Sequence, residues 1–139
     1  MYDYGKYLER LQGGDDSINP FLQFMGMTLE EAADGRARFR MPIRRDFMQG
    51  AGVVQGGLLV AMASETIAHA VMTQLEPGEG IATIELKNNF LAPSKDEDVI
   101  AEAKVFKKGS RVIIGDCLVS SASGRALART TSSILLLKE

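Results

Sequence analysis

The 139-residue chain has no tryptophan, one cysteine (Cys117) and one histidine (His69). A lone cysteine cannot close an internal disulfide. One Cys and one His cannot assemble the roughly four-ligand set of a zinc site, so no metal is expected. A Ser-His-Asp triad would have only His69 as its base. An excess of charge of one sign is also missing: 16 Lys and Arg against 18 Asp and Glu leave a net charge of −2. That balance excludes a general nucleic-acid binder, which would carry a basic excess. No apolar run reaches the roughly 18–20 residues of a membrane span. The richest run, Leu58 to Ala63, is followed at once by Ser64 and Glu65. The opening MYDYGKYLER has no apolar h-region, so no secretory signal is expected and the cytoplasm is the expected compartment. With 45% hydrophobic and 24% charged residues, 1–139 reads as a single domain with a sizeable core.

Residues 2–11 read as a short helix ended by Gly13-Gly14-Asp15-Asp16, and Asn19-Pro20 starts a second short one, so 1–25 is an N-terminal helical stretch. Strands are predicted at 27–33 and 36–42, joined by Asp34-Gly35, a strong hairpin signal. Residues 43–57 are irregular and glycine-rich. They lead into the longest helical candidate, Gly57 to Gln74, apolar almost all round and so expected to be buried on every face. Strands follow at 81–91, 97–108, 110–121 and 125–137. The breaks between them are too short for crossover helices, so they are expected to pair antiparallel, as a meander. The predicted fold class is α+β: an antiparallel sheet wrapped around one long central helix.

Gly50 to Gly57 fails as a dinucleotide fingerprint, because Gln55 stands where the third glycine belongs and no βαβ unit surrounds it. Gly56-Gly57 nevertheless falls at the start of the central helix. Unpaired N–H groups there sit at the positive end of the dipole, and glycine lets an oxygen approach them. Either an oxyanion site or simple tight packing fits. Ser64, Glu65 and His69 interrupt the apolar helix. Glu65 and His69, four apart, share a face. A carboxylate there is either a structural partner of His69 or a group with a raised pKa and a catalytic role. Lys107, Lys108, Ser110 and Arg111 form a basic hairpin tip that could grip phosphates or simply be solvated. Arg44-Arg45 reads the same way. Cys117 reads as a small core residue.

The runs FLQFMGMTLEEAADGRARFRMPIRRDFMQGAGVVQGGLLVAMASETIAHA and ATIELKNNFLAPSKDEDVIAEAKVFKKGSRV resemble the hotdog-fold acyl-CoA thioesterases, most closely the phenylacetate-degradation (PaaI-type) branch, over roughly residues 18–138. The resemblance implies acyl-CoA thioester hydrolysis without a cofactor. It also implies a homodimer, often a dimer of dimers, with each active site at the dimer interface. Carried over, Gln49 matches the side chain that positions thioester or water, and Gly56 the glycine whose N–H polarises the carbonyl. Gln55 replaces the motif histidine beside Gly57. Thr83 matches a water-holding Ser/Thr, and Asn89-Phe90-Leu91-Ala92-Pro93 the family's Asn-Phe-Leu-x-Pro. Lys107, Lys108, Ser110 and Arg111 fall where relatives face CoA. Two positions depart from the pattern. Ser64 stands where the catalytic Asp or Glu belongs, leaving Glu65 one residue late to supply a base. Ala68 replaces an assisting Thr. These departures leave a second expectation open: a degenerate module that binds acyl-CoA without turnover.

Overall fold

Asp34 and Gly35 both adopt left-handed backbone (φ 52° and 75°), which lets a two-residue turn join β1 (Thr28–Ala33) to β2 (Arg36–Met41). The computed structural model describes residues 2–139. Two short helices precede the hairpin. In α1 (Tyr4–Gln12) the Asp3 side chain accepts from the Lys6 N–H, and in α2 (Pro20–Met25) Asn19 does the same for Leu22. The long helix α3 covers Gly56–Met72, and β3 (Glu79–Phe90), β4 (Val99–Lys108), β5 (Val112–Ser121) and β6 (Ala126–Lys138) follow. All six strands form one antiparallel sheet in the order β1-β2-β4-β5-β6-β3.

That order corrects the expected meander. β3 pairs with β6, not with β4, and β4 pairs with β2. The segment 91–98 carries the chain across three inter-strand spacings, about 14 Å, within reach of eight extended residues. As a result β3 is an edge strand, and its free side faces away from the rest of the sheet.

The sheet curls around α3, whose Leu59, Met62, Ala63, Ile67, Ala70 and Val71 are buried against it. The helix approaches closely at Gly115 of β5, where a Cβ would lie 2.6 Å from Ile67 Cγ2. Gly115→Ala should therefore overpack the helix–sheet seam and cost about 1–3 kcal/mol, read as a lower urea midpoint. Cys117 is core, as expected, and burial pushes its thiol up to about 12. Among the described residues no helix is long and apolar enough to cross a membrane.

Candidate active site at the amino end of the central helix

Residues 48–54 approach α3 as a pinned loop. Met48 and Val54 form an isolated bridge, the Val54 N–H donates to Ser94 O (2.8 Å), and the Gln55 N–H donates to Phe47 O (2.8 Å). Gln55 is the N-cap: its side-chain oxygen accepts from the Gly57 N–H. A Cβ at Gly57 would lie 2.7 Å from that oxygen, so any larger residue there would push the Gln55 side chain out of its capping position. The Gly56 N–H, next to it, meets no acceptor among the described residues. It is one of the helix-start donors that no intrahelical carbonyl can serve.

Gly56 also lies under an aromatic ring. Phe90, 60% exposed at the end of β3, places its ring atoms 2.8–2.9 Å from where a Gly56 Cβ would be. Nothing in the sequence signals this contact, because it joins the first residue of α3 to the last residue of β3. Gln49 uses its amide oxygen to accept from the Ala51 N–H, which leaves its amide nitrogen available beside the loop.

His69 and Ile67 orient the rest of α3. Ile67 faces the sheet, and the His69 ring lies edge-on to Phe39 of β2, centroids 4.9 Å apart. Ser64 stands about 140° from His69 around the helix, so it faces the β6–β3 side. With Gly57, Ala61 and Ala68 it lines a partly exposed stripe. Across from this stripe, β3 turns Thr83, Leu86, Asn88 and Phe90 inward. Asn89 alternates to the outer face, opposite Arg129. Asn88, not Asn89, presents an inward amide. Its oxygen accepts from Thr130 (2.7 Å), and its buried nitrogen has no partner.

Glu65 occupies the other margin of the stripe, under α1 and α2, with a side chain 29% exposed. Burial raises its carboxyl above the ordinary range, and the Asn19 amide holds part of that rise back. The expected Glu65–His69 pair forms differently. His69 Nδ1 lies 2.6 Å from the Glu65 backbone oxygen, an obligate acceptor, and 3.8 Å from the carboxylate. Nδ1 therefore carries the proton, and Nε2 accepts from the Tyr7 hydroxyl (2.7 Å), which itself accepts from Asn19 Nδ2 (2.8 Å). This network fastens the N-terminal helices over Glu65. No sequence signal singles out Tyr7, and Asn19-Pro20 signals only a helix start.

His69 is 0% exposed, and burial lowers its pKa to about 4. Between pH 6.5 and 4 the unfolded chain binds a proton there that the folded chain does not. Its contribution is thus complete above pH 6.5 and is lost as pH falls, about 2 kcal/mol between pH 7 and 5. Glu65 works in the opposite sense, because its raised pKa favours the folded state as the carboxyl protonates. Urea unfolding at pH 7 and 5 should show a smaller pH effect in His69→Gln than in wild type.

The basic hairpin is remote from Gly56 within one chain. The Lys108 ammonium sits on Gln74 O (2.6 Å), just past the C-terminal end of α3, and 3.3 Å from Glu79. Gly56 is at the other end of this 17-residue helix, about 25 Å away. Lys108 is engaged with the turn that follows α3. Lys107, Ser110 and Arg111 are exposed around the tip.

Residues 51–128 match the family model described as the thioesterase superfamily. A candidate esterase of Saccharolobus solfataricus is 31% identical over 99% of this chain and 96% of that protein. Among solved structures, a thioesterase family protein from Silicibacter pomeroyi superposes with a TM-score of 0.85 at 22% identity, covering 99% of this chain and 100% of that one. A phenylacetic acid degradation-related thioesterase from Ralstonia eutropha JMP134 superposes at 0.84 with 25% identity, covering 93% and 98%. An antiparallel sheet wrapped on one long helix is the hotdog architecture of these thioesterase structures. The chain belongs to the thioesterase superfamily.

Proposed function

We propose that this protein hydrolyses an acyl-CoA thioester in a cleft shared by two copies of the chain. The carrying observation is the unpaired Gly56 N–H at the start of α3, which the loop carrying Gln49 leads into. The thioester oxygen accepts from Gly56, which stabilises the charge that develops there on attack. Glu65, desolvated and raised in pKa, takes a proton from a water held in the stripe between it, Ser64 and Thr83. The resulting hydroxide adds to the carbonyl carbon. The C–S bond then breaks, and the thiolate leaves as CoA with the proton returned from Glu65.

The second copy is argued from β3. This strand is twelve residues long and unpaired on one side, with Ile84 56% exposed on that edge and Phe90 open beside it. A bare edge of that length invites strand pairing. Antiparallel pairing of two β3 strands about a twofold axis brings the partner's β4–β5 hairpin to the Gly56 end of α3. Lys107, Ser110 and Arg111 would then hold CoA phosphates in trans. Mixing a Gly56→Pro chain with an Arg111→Ala chain tests this. Random exchange should restore about a quarter of wild-type turnover, through the one intact site in each mixed dimer. No recovery would place the hairpin in cis or outside the site.

Ser64, where the family's acid belongs, supports the second reading: binding of acyl-CoA without turnover. An assay of free thiol released from a panel of acyl-CoAs separates the two. Under the second reading no member releases CoA above background, and Ser64→Asp creates activity.

A further inference from the structure

Arg44 is unused by the chemistry above, yet it is unusually well held. Its guanidinium carbon lies 4.2 Å from the Phe47 ring centroid and 5.3 Å from that of Phe24. Phe47 is buried at 2% exposure and anchors the stack, whereas Phe24 is 63% exposed. Arg38 and Arg40 each have a carboxylate partner. Arg44 has no hydrogen-bond acceptor among the described residues. A guanidinium stacked on rings keeps its planar N–H edge free and pre-oriented, the arrangement that suits a phosphate. Its position ties it to the site, because Phe47 O accepts the N–H of Gln55, the residue that caps α3 before Gly56.

We propose that Arg44 and Phe24 form a subsite for the nucleotide half of the substrate. Arg44 donates to a phosphate, and the adenine stacks on the open Phe24 ring. The assignment rests on the thioesterase reading and deepens it. It makes a nucleotide-bearing thioester, not one carried on a bare pantetheine arm, the preferred substrate. CoA carries phosphate both in its pyrophosphate and on its ribose, so this subsite adds to the basic hairpin and does not replace it.

Calorimetric titration of the full chain with adenosine 3′,5′-bisphosphate tests the subsite without relying on turnover. Wild type should bind, and Arg44→Ala and Phe24→Leu should each weaken binding about tenfold. Arg44→Lys, which keeps the charge and loses the planar stack, should not restore it. In turnover, Arg44→Ala should cut the preference for acyl-CoA over the matching acyl-pantetheine about tenfold through KM. Thermal unfolding of each variant identifies any that fail to fold, and Phe24→Leu then carries the test. Equal bisphosphate affinity in wild type and Arg44→Ala, or no binding by wild type, would overturn the proposal. So would an unchanged preference between the two thioesters. If no thioester is turned over but bisphosphate binding still depends on Arg44, the hydrolysis reading fails and the subsite stands.

Discussion

Gly56→Pro in a Phe90→Ala background should lower kcat for acyl-CoA hydrolysis by about 10²–10³ relative to Gly56→Ala in the same background. Proline is tolerated at the first helical position, where its missing N–H breaks no helical bond. Gln55 already has the extended backbone (φ −60°, ψ 123°) that a residue before proline requires. Removing the Phe90 ring clears the space that either new Cβ would enter. The two variants then differ chiefly in one N–H, so a difference in kcat reports on that donor. Matching unfolding midpoints would show that the helix start is intact. Equal kcat values would mean that the carbonyl oxygen is held elsewhere.

Glu65→Gln should abolish most turnover, by about 10²–10⁴ in kcat, because the amide keeps the size and hydrogen bonding of the carboxyl but cannot take a proton. Ser64→Ala should stay within a few-fold of wild type. The pH profile adds a check. The basic form of Glu65 is required, and burial raises its pKa, so activity should fall on the acid side above the ordinary carboxylate range. A profile that is flat through that range, or a larger loss in Ser64→Ala than in Glu65→Gln, would remove Glu65 as the base.

Much of the architecture was legible from local rules. Asp34-Gly35 marked the hairpin, and the central helix expected over 57–74 occupies Gly56–Met72. The last three strands form the expected meander within two residues at each end. The placement of β3 was not legible. Strand periodicity says which residues alternate but not which neighbour they find, and 91–98 has length enough for either course. The site shows the same division. A glycine pair before an apolar helix fits an open helix start and tight packing alike, so chain-local physics does not decide between them. The Phe90 ring over Gly56, the Tyr7–His69 bond and the Phe24–Arg44–Phe47 stack each join residues far apart in sequence or on different elements. No spacing rule reaches them. Glu65 and His69 illustrate an intermediate case: helical spacing put them on one face, but the imidazole chose the backbone carbonyl over the carboxylate.

The most direct measurement is the amide resonance of Gly56 in the ¹⁵N-labelled protein, titrated with an acyl-CoA ketone analogue in which a methylene replaces the thioester sulfur. The analogue keeps the carbonyl and cannot be hydrolysed. A new hydrogen bond from the Gly56 N–H to that oxygen should move its proton downfield further than any other glycine amide. If the analogue binds and shifts other resonances while Gly56 stays where it was, the carbonyl is not held at the start of α3, and the proposed chemistry is wrong.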